Sequence, residues 1–142
     1  MVAATEDDVP DLVRVLAAAV PDCSPQTVWA VPWTWPTYRV VRDVDGTPIA
    51  AGSTEDLDEH RAELRGLVVD PGFRGLGLAS AIVRHLREQL RRRHKAMVCV
   101  TQRPEFFRRL GFVDTVPSWI ELQPQRRRGN TGGQRRVAMA SA

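Results

Sequence analysis

Cysteine, tyrosine and long apolar runs are scarce in this chain of 142 residues. The two cysteines, Cys23 and Cys99, lie far apart, and the apolar surroundings of Cys99 favour a buried free thiol over a disulfide. The histidines show no metal-ligand spacing. No apolar run approaches the roughly 20 residues that span a bilayer, and Glu6, Asp7 and Asp8 are unlike the basic start of a secretory signal. We therefore expect a cytoplasmic protein with no membrane segment and no metal.

Charge is distributed unevenly along the chain. Residues 1–70 carry 5 arginines against 13 acidic residues, whereas residues 71–142 carry 15 Arg or Lys against 4 acidic residues. A cationic second half suits a ligand with several phosphates and would raise its local concentration. It would also suit nucleic acid, so charge alone leaves both partners open. The basic runs Arg91–Arg93 and Arg126–Arg128 lack interleaved aromatic residues, which argues against nucleic acid.

Apolar periodicity and turn residues predict one domain of alternating helices and strands. A helix with Thr5 as its N-cap opens the chain. The predicted elements after it are a short helix at Thr27–Ala30, an irregular segment at Val31–Pro36, strands at Tyr38–Arg42 and Pro48–Ser53 around a turn at Asp45–Gly46, a loop at Thr54–His60, a strand at Ala62–Val69, a helix to about Arg93, a strand at Met97–Thr101, a helix at Pro104–Leu110 and a strand from Gly111.

The C-terminal end has a different composition. We expect Trp119–Leu122 to continue the sheet, Gln123–Gln134 to be a flexible loop, and Val137–Met139 to be a final edge strand. The domain would then span residues 1–122, with residues 123–142 adding a basic loop and a last strand. A final strand offered to a neighbouring chain would make a homodimer, and a monomer is the alternative.

The loop after the strand that ends at Val69 is the most informative segment. Gly75 and Gly77 remove side chains that would keep an anion from the backbone, and the first N–H groups of the following helix have no intrahelical acceptor. Arg74 can add a positive charge. Glycines at a helix start can also serve close packing, so the pair alone leaves both roles open. No Lys-Ser/Thr of a P-loop follows, and the three-glycine Rossmann spacing is absent.

Two motifs in the second half resemble those of one enzyme family. Arg74, Gly77 and Ala79 form an Arg-x-x-Gly-x-Gly/Ala pattern after Val-x-Pro, which resembles the acetyl-CoA motif of the GNAT N-acetyltransferases. The later Leu110-Gly111-Phe112 matches a second GNAT signature in the right order. The resemblance covers roughly residues 38–113.

The resemblance implies the GNAT fold. This is an α/β (α+β) fold with a mixed central sheet of about six strands and about four flanking helices, in which the first strand would be short or missing here. Two parallel strands, ending near Val69 and Thr101, would splay so that exposed backbone can pair with the pantetheine arm of acetyl-CoA. The residues implied in coenzyme A binding are Leu67, Val68, Val69, Arg74, Gly75, Leu76, Gly77, Leu78, Ala79 and Ser80.

The activity implied is transfer of an acetyl group from acetyl-CoA to the amine of a small molecule or amino acid, by direct attack in a ternary complex. By the same resemblance Glu63 is the candidate general base, acting through a water. Phe107 stands where the family usually has a tyrosine acid, and phenylalanine cannot donate a proton. The alternative is therefore an acyl-CoA-sensing or partner-binding module without turnover.

The acceptor side is less marked in the sequence. Trp33 and Trp35 lie where the family's variable first connection closes over the acceptor, and core packing is the equal alternative for them. The segments Ala62-Glu63-Leu64 and Thr101-Gln102-Arg103 resemble the acetyltransferase domain of N-acetylglutamate synthases. If that closer resemblance holds, Arg103 would bind a substrate carboxylate, and otherwise it is a surface arginine.

Overall fold

The computed structural model describes residues 1–20, 23–115 and 136–141. Its elements are β1 (Val2–Ala3), α1 (Val9–Ala18), α2 (Pro25–Thr34), β2 (Tyr38–Arg42), β3 (Pro48–Asp56), β4 (Arg61–Val69), α3 (Leu78–Arg92), β5 (Ala96–Thr101), α4 (Pro104–Arg109), β6 (Val113–Asp114) and β7 (Val137–Ala140). The strands form one sheet in the order β1-β2-β3-β4-β5-β7-β6, in which only β4 and β5 pair in parallel among the described strands. The predicted mixed sheet and four helices are confirmed, and the expected short first strand is β1.

The two faces of the sheet carry separate apolar clusters. The larger cluster packs α3 and α4 on one face, where Ala62 and Leu64 of β4 contribute. The smaller cluster packs α1 and α2 on the other face, where Tyr38 and Val68 contribute. β4 therefore contributes side chains to both clusters and lies at the centre of the molecule.

A bulge in β4 changes which face its side chains point to. Gly66 has a φ of +60°, and the pairing with β3 shifts because Ala51 lies opposite Val68 while Ser53 lies opposite Arg65. The single residue between them on β3 thus faces two on β4. As a result Leu67 joins Leu64 on the α3 face, whereas uninterrupted alternation would have put these two on opposite faces.

β4 and β5 diverge towards their C-terminal ends. Their parallel pairing runs from Arg61 opposite Ala96 only as far as Glu63 opposite Val98. Beyond that point β5 pairs with β7 on its other side up to Thr101. The predicted splay is confirmed, and the β4 backbone from residue 64 onward pairs with no described strand on this edge.

The segment predicted to be irregular, Val31–Pro36, is mostly helical. α2 begins at Pro25, with the Ser24 Oγ accepting a hydrogen bond from the backbone N–H of Gln26, and continues through Pro32 to Thr34. The prediction was wrong because it let Pro32 end the helix. Packing of α2 against the smaller cluster, in which Val31 is fully buried, offsets the one backbone hydrogen bond that the proline removes.

Two further boundaries differ from prediction. The predicted loop Thr54–His60 is shorter, because β3 continues to Asp56, whose carboxylate pairs with Arg93 and Lys95. The last strand is not an edge strand, since β7 lies between β5 and β6. Both edges of β7 are therefore occupied, so this strand is not available to pair with a neighbouring chain.

Several predictions concern segments that the structure does not describe. The strand at Trp119–Leu122, the loop at 123–134 and the domain boundary after residue 122 all lie outside the described residues. Within the described ranges, no helix combines the length and apolar character that crossing a membrane would require.

The bulge gives a test of packing. A Cβ on Gly66 would lie 2.8 Å from Cε1 and Cζ of Tyr38 and closer still to the hydroxyl, in a backbone conformation that L-residues disfavour. We expect Gly66→Ala to lower the free energy of unfolding by about 3 kcal/mol, from strain and overpacking together. Gly46→Ala, at a turn glycine with φ +88° and open space around it, is the matched control and should cost about 1 kcal/mol. If chemical denaturation gives the same loss of unfolding free energy for both variants, the Tyr38 ring moves aside at no energetic cost.

Candidate functional site

A cavity of about 450 Å³ occupies the gap where β4 and β5 diverge. Its walls come from the end of β4, the loop after it, the first turn of α3, the end of β5 and the start of α4. Nine of the ten residues predicted for coenzyme A binding line it, namely Leu67, Val68, Val69, Arg74, Gly75, Gly77, Leu78, Ala79 and Ser80. The tenth, Leu76, is 68% exposed and is not among the lining residues.

The loop at one end of this cavity is held in place by Asp70. The Asp70 carboxylate accepts hydrogen bonds from the backbone N–H of Gly72 at 3.1 Å and from Arg14 Nη1 at 3.3 Å. The Gly72 bond first, and then Arg14, lowers the pKa of Asp70 below its ordinary value. The Asp70 carboxylate that holds the start of the loop is therefore ionised at neutral pH.

The two loop glycines serve backbone conformation and access. Gly75 and Gly77 have φ of +82° and +77°, and no described atom lies within 4 Å of the Cβ position of either. No described residue therefore packs closely against either glycine, and close packing, the alternative that the sequence left open, does not explain them. Each provides a left-handed turn and leaves the space above it open.

The first turn of α3 provides donors for an anion. Gly77 is the N-cap, and Ala81 N–H donates to the Gly77 carbonyl at 3.0 Å. The N–H groups of Leu78, Ala79 and Ser80 precede that bond, so helix geometry gives them no intrahelical acceptor. With the positive end of the helix dipole and the exposed Arg74 beside them, these donors fit a phosphate group.

A second cavity of about 370 Å³ adjoins the first. Its lining includes Trp33 and Thr34 of α2, Ser53 and Glu55 of β3, and Tyr38. The residues that line both cavities are Ser24, Thr27, Arg65, Val100 and Arg136. Two ligands can thus approach each other from opposite sides of the bulge in β4.

Arg65 connects two carboxylates at this junction. Its Nε donates to Glu63 Oε1 at 2.7 Å, and its Nη1 pairs with Glu55. Glu55 and Glu63 lie opposite each other on β3 and β4, where like charges would repel without a cation between them. Glu63 is fully buried and lines neither cavity, whereas Glu55 is half exposed and lines the second.

The predicted acceptor residues are not brought together. Trp33 lines the second cavity and is 73% exposed, while Trp35 packs against the smaller core cluster. Arg103 lines the first cavity and not the second. Of these three residues, only Trp33 lines the second cavity.

Aromatic groups mark both sides of the junction. Phe107 lines the first cavity, where its ring packs edge-to-face against Phe106 and Phe112 at centroid distances of 5.0 and 5.2 Å. Tyr38, which sequence reasoning left aside as a residue of an early strand, lies over Gly66 and lines the second cavity. The sequence signal was the isolated Gly66 inside a strand pattern, which indicates a bulge or a close approach by another group.

Comparison with known proteins agrees with this architecture. Rv2747 from Mycobacterium tuberculosis, solved in complex with CoA and NLQ, is similar with a TM-score of 0.83 at 20% identity, covering 99% of this chain and 96% of that one. N-acetylglutamate synthase from Neisseria gonorrhoeae, complexed with coenzyme A and N-acetyl-glutamate, gives 0.77 at 13% identity, covering 98% of this chain but 34% of that one. Ard1 from Thermoplasma volcanium gives 0.73 at 16% identity, with coverages of 96% and 91%. This chain therefore spans about a third of the synthase.

The structural similarities, at these identities, show a shared fold. The family assignment comes from the sequence, because the model of the acetyltransferase (GNAT) family matches residues 10–112. That is well over half of the chain, and the chain belongs to the GNAT acetyltransferase family. No curated protein sequence matches it significantly. The described residues contain no group of three or more His, Cys, Asp or Glu that could hold a metal ion.

The Arg65 junction predicts a coupled loss of stability. We expect Arg65→Met to lower the free energy of unfolding by about 3 kcal/mol, because the buried Glu63 carboxylate loses its charged hydrogen-bond donor. Adding Glu63→Gln removes the buried charge and should recover about half of that loss. Chemical denaturation of the two single variants and the double variant measures the coupling. Additive effects would mean that Arg65 and Glu63 act independently.

Proposed function

We propose that this protein is an acyl-CoA-dependent N-acetyltransferase that transfers acetyl from acetyl-CoA to the amine of a small molecule or amino acid. The observation that carries the proposal is the pair of cavities meeting at the β4 bulge, one of which ends at the glycine loop and the N-terminus of α3. The GNAT family match supports acetyl transfer, and the CoA in the complexes of Rv2747 and N-acetylglutamate synthase supports the donor.

The described residues fit coenzyme A. The amides at Leu78–Ser80 and the Arg74 charge suit its pyrophosphate, and the glycine loop leaves open the space that a Cβ would fill. The edge of β4 from Leu67 to Val69, which pairs with no described strand on the β5 side, suits the amides of the pantetheine arm. The thioester would supply the activated acetyl group. The second cavity would then hold the acceptor, with Trp33 at its exposed rim.

Glu63 is the general base of this proposal, acting through a water because its own side chain is buried. Arg65 orients it by the hydrogen bond to Oε1. Glu55 is the other carboxylate at the junction, and its exposure places it where it can bind the acceptor ammonium. In this proposal Glu55 binds the charged amine and Glu63 removes its proton.

A sensing module that binds acyl-CoA without turnover is the second candidate. The observation that favours it is Phe107, whose ring is 5% exposed and packed between two other phenylalanines. A thiol is acidic enough to leave with little help, so this position alone does not prevent turnover. Release of free thiol with any of a panel of amines and amino acids would exclude the sensing module, and binding with no release would favour it.

The setting of the proposed enzyme follows from the same observations. Both cysteines are buried thiols, which suits the reducing cytoplasm. We place residues 1–122 in the catalytic domain, with a monomer or a homodimer as the assembled form. Nucleic acid is not a proposed partner, since Arg91 and Arg92 pair with Glu88.

Substitution at the loop tests donor binding. We expect Gly77→Leu to weaken acetyl-CoA binding more than about 100-fold, because a side chain would occupy the approach to the helix N-terminus. Gly46→Leu is the control, since it carries the same kind of positive-φ strain far from the cavity. Both variants should lose about 1–2 kcal/mol of folding free energy. Titration calorimetry measures the binding. If Gly77→Leu binds acetyl-CoA as tightly as the wild type, the phosphate does not bind at this loop.

Paired carboxylate variants test the base. We expect Glu63→Gln to lower kcat about 100-fold, with the largest effect at low pH where less amine is already neutral, and to leave acetyl-CoA affinity unchanged. Glu55→Gln should instead raise the acceptor KM and leave kcat within about threefold. Steady-state rates across pH separate the two effects. The opposite pattern, with kcat lost in Glu55→Gln alone, would assign the base to Glu55.

A further inference from the structure

The Tyr38 side chain lies at the junction of the two cavities. Tyr38 is the only tyrosine in the chain, and it is 2% exposed within the smaller core cluster. It lines the second cavity, while its hydroxyl lies against the backbone of Gly66, which lines the first. The bulge at Gly66 makes room for this contact, because any Cβ there would overlap the phenol ring.

The Tyr38 hydroxyl has no hydrogen-bond partner in the part of the chain that the structure describes, and it is not sealed off from the open space beside it. The hydrogen bonds at this residue outside the strand ladder use its backbone, whose N–H donates to the Trp35 carbonyl and whose carbonyl accepts from Ala4 N–H and from Arg39. A buried phenol normally has a partner, because leaving it without one costs about 1–3 kcal/mol. Phenylalanine would fill the same space without that cost. The second cavity, which Tyr38 lines, can supply that partner as water or as a ligand group.

The chemistry of the phenol limits what that partner can be. Burial, with a smaller contribution from Cys23 and opposed by Arg65, raises the pKa of Tyr38 well above its ordinary value. The phenol therefore stays protonated at neutral pH and acts as a hydrogen-bond donor. Complete proton transfer to a leaving thiolate would be uphill, since a thiol has a pKa of about 8.5. A hydrogen bond to a developing oxyanion needs no transfer.

The backbone beside the hydroxyl belongs to the same arrangement. Past Glu63, β4 pairs with no described strand on its β5 edge, and Leu64–Val69 line the first cavity. Donors aimed at the place where negative charge develops are a strong source of catalysis in acyl transfer. Tyr38 adds a side-chain donor from the acceptor side of the bulge to the backbone donors on the other side.

We propose that the Tyr38 O–H donates a hydrogen bond to the oxygen of the acetyl group during transfer, which makes Tyr38 a catalytic residue. The inference rests on the proposed acetyl transfer. As the acceptor nitrogen bonds to the acyl carbon, the carbonyl π pair moves to oxygen, where Tyr38 meets the charge while keeping its proton. When that pair returns, the carbon–sulfur bond breaks with its electrons on sulfur, and the ammonium proton passes to the base.

Two measurements on Tyr38→Phe test this assignment. The variant keeps the ring over Gly66, so thermal unfolding should be unchanged or shifted upward and acetyl-CoA Kd should stay within about twofold. We expect kcat to fall about 100-fold with acceptor KM nearly constant. Acetyl-CoA carrying ¹³C at the acetyl carbonyl gives an infrared band that reports the hydrogen bond without turnover. We expect this band to lie at higher wavenumber in the variant than in the wild type.

The outcomes separate the hypotheses. If the labelled band shows no bound acetyl-CoA in the wild type, the proposed function fails and the Tyr38 assignment fails with it. If acetyl-CoA binds and is turned over but Tyr38→Phe matches the wild type in band and kcat, only the assignment is overturned. The double variant Tyr38→Phe with Phe107→Tyr is the final control. Recovered turnover in it with the band still shifted would mean that Tyr38 serves the thiolate, which also overturns the assignment.

Discussion

The site depends on one feature of the sheet, the loss of backbone pairing between β4 and β5 after Glu63 and Val98. Backbone N–H and C=O groups in a protein interior need partners, and a parallel sheet would ordinarily provide them. Here β5 pairs with β7 instead, and the freed edge of β4 lines a cavity. A ligand rich in amides can complete the hydrogen bonding that the sheet leaves open.

The bulge at Gly66 lies where that open edge meets a second cavity. By shifting side-chain alternation, it leaves Glu63 and Arg65 on the α2 face while Leu67 returns to the α3 face. Arg65 therefore lines the second cavity with the buried Glu63 behind it, and the apolar residues support the α3 side. Arg65 lets two facing carboxylates coexist there, and Tyr38 covers the bulge itself.

The sequence predicted the parts of the site that depend on local chemistry. The strand ending at Val69, the glycine loop after it and the helix that follows each depend on residues adjacent in the chain, and the structure has all three. Tyr38 could not be placed in this way, because strand pairing alone brings it to Gly66. The helical course of α2 was missed for a similar reason, since burial of Val31 decides it against the local signal of Pro32.

The donor half and the acceptor half of the proposed site are therefore built from different kinds of groups. The donor half is made of backbone amides, glycines and a helix terminus, which depend on the fold more than on particular side chains. The acceptor half is made of side chains from α2, β3 and β4, of which Trp33 and Glu55 are exposed enough to change without disturbing the core. Under the proposed function, donor binding would therefore depend mainly on the fold, and the choice of acceptor on the side chains that line the second cavity.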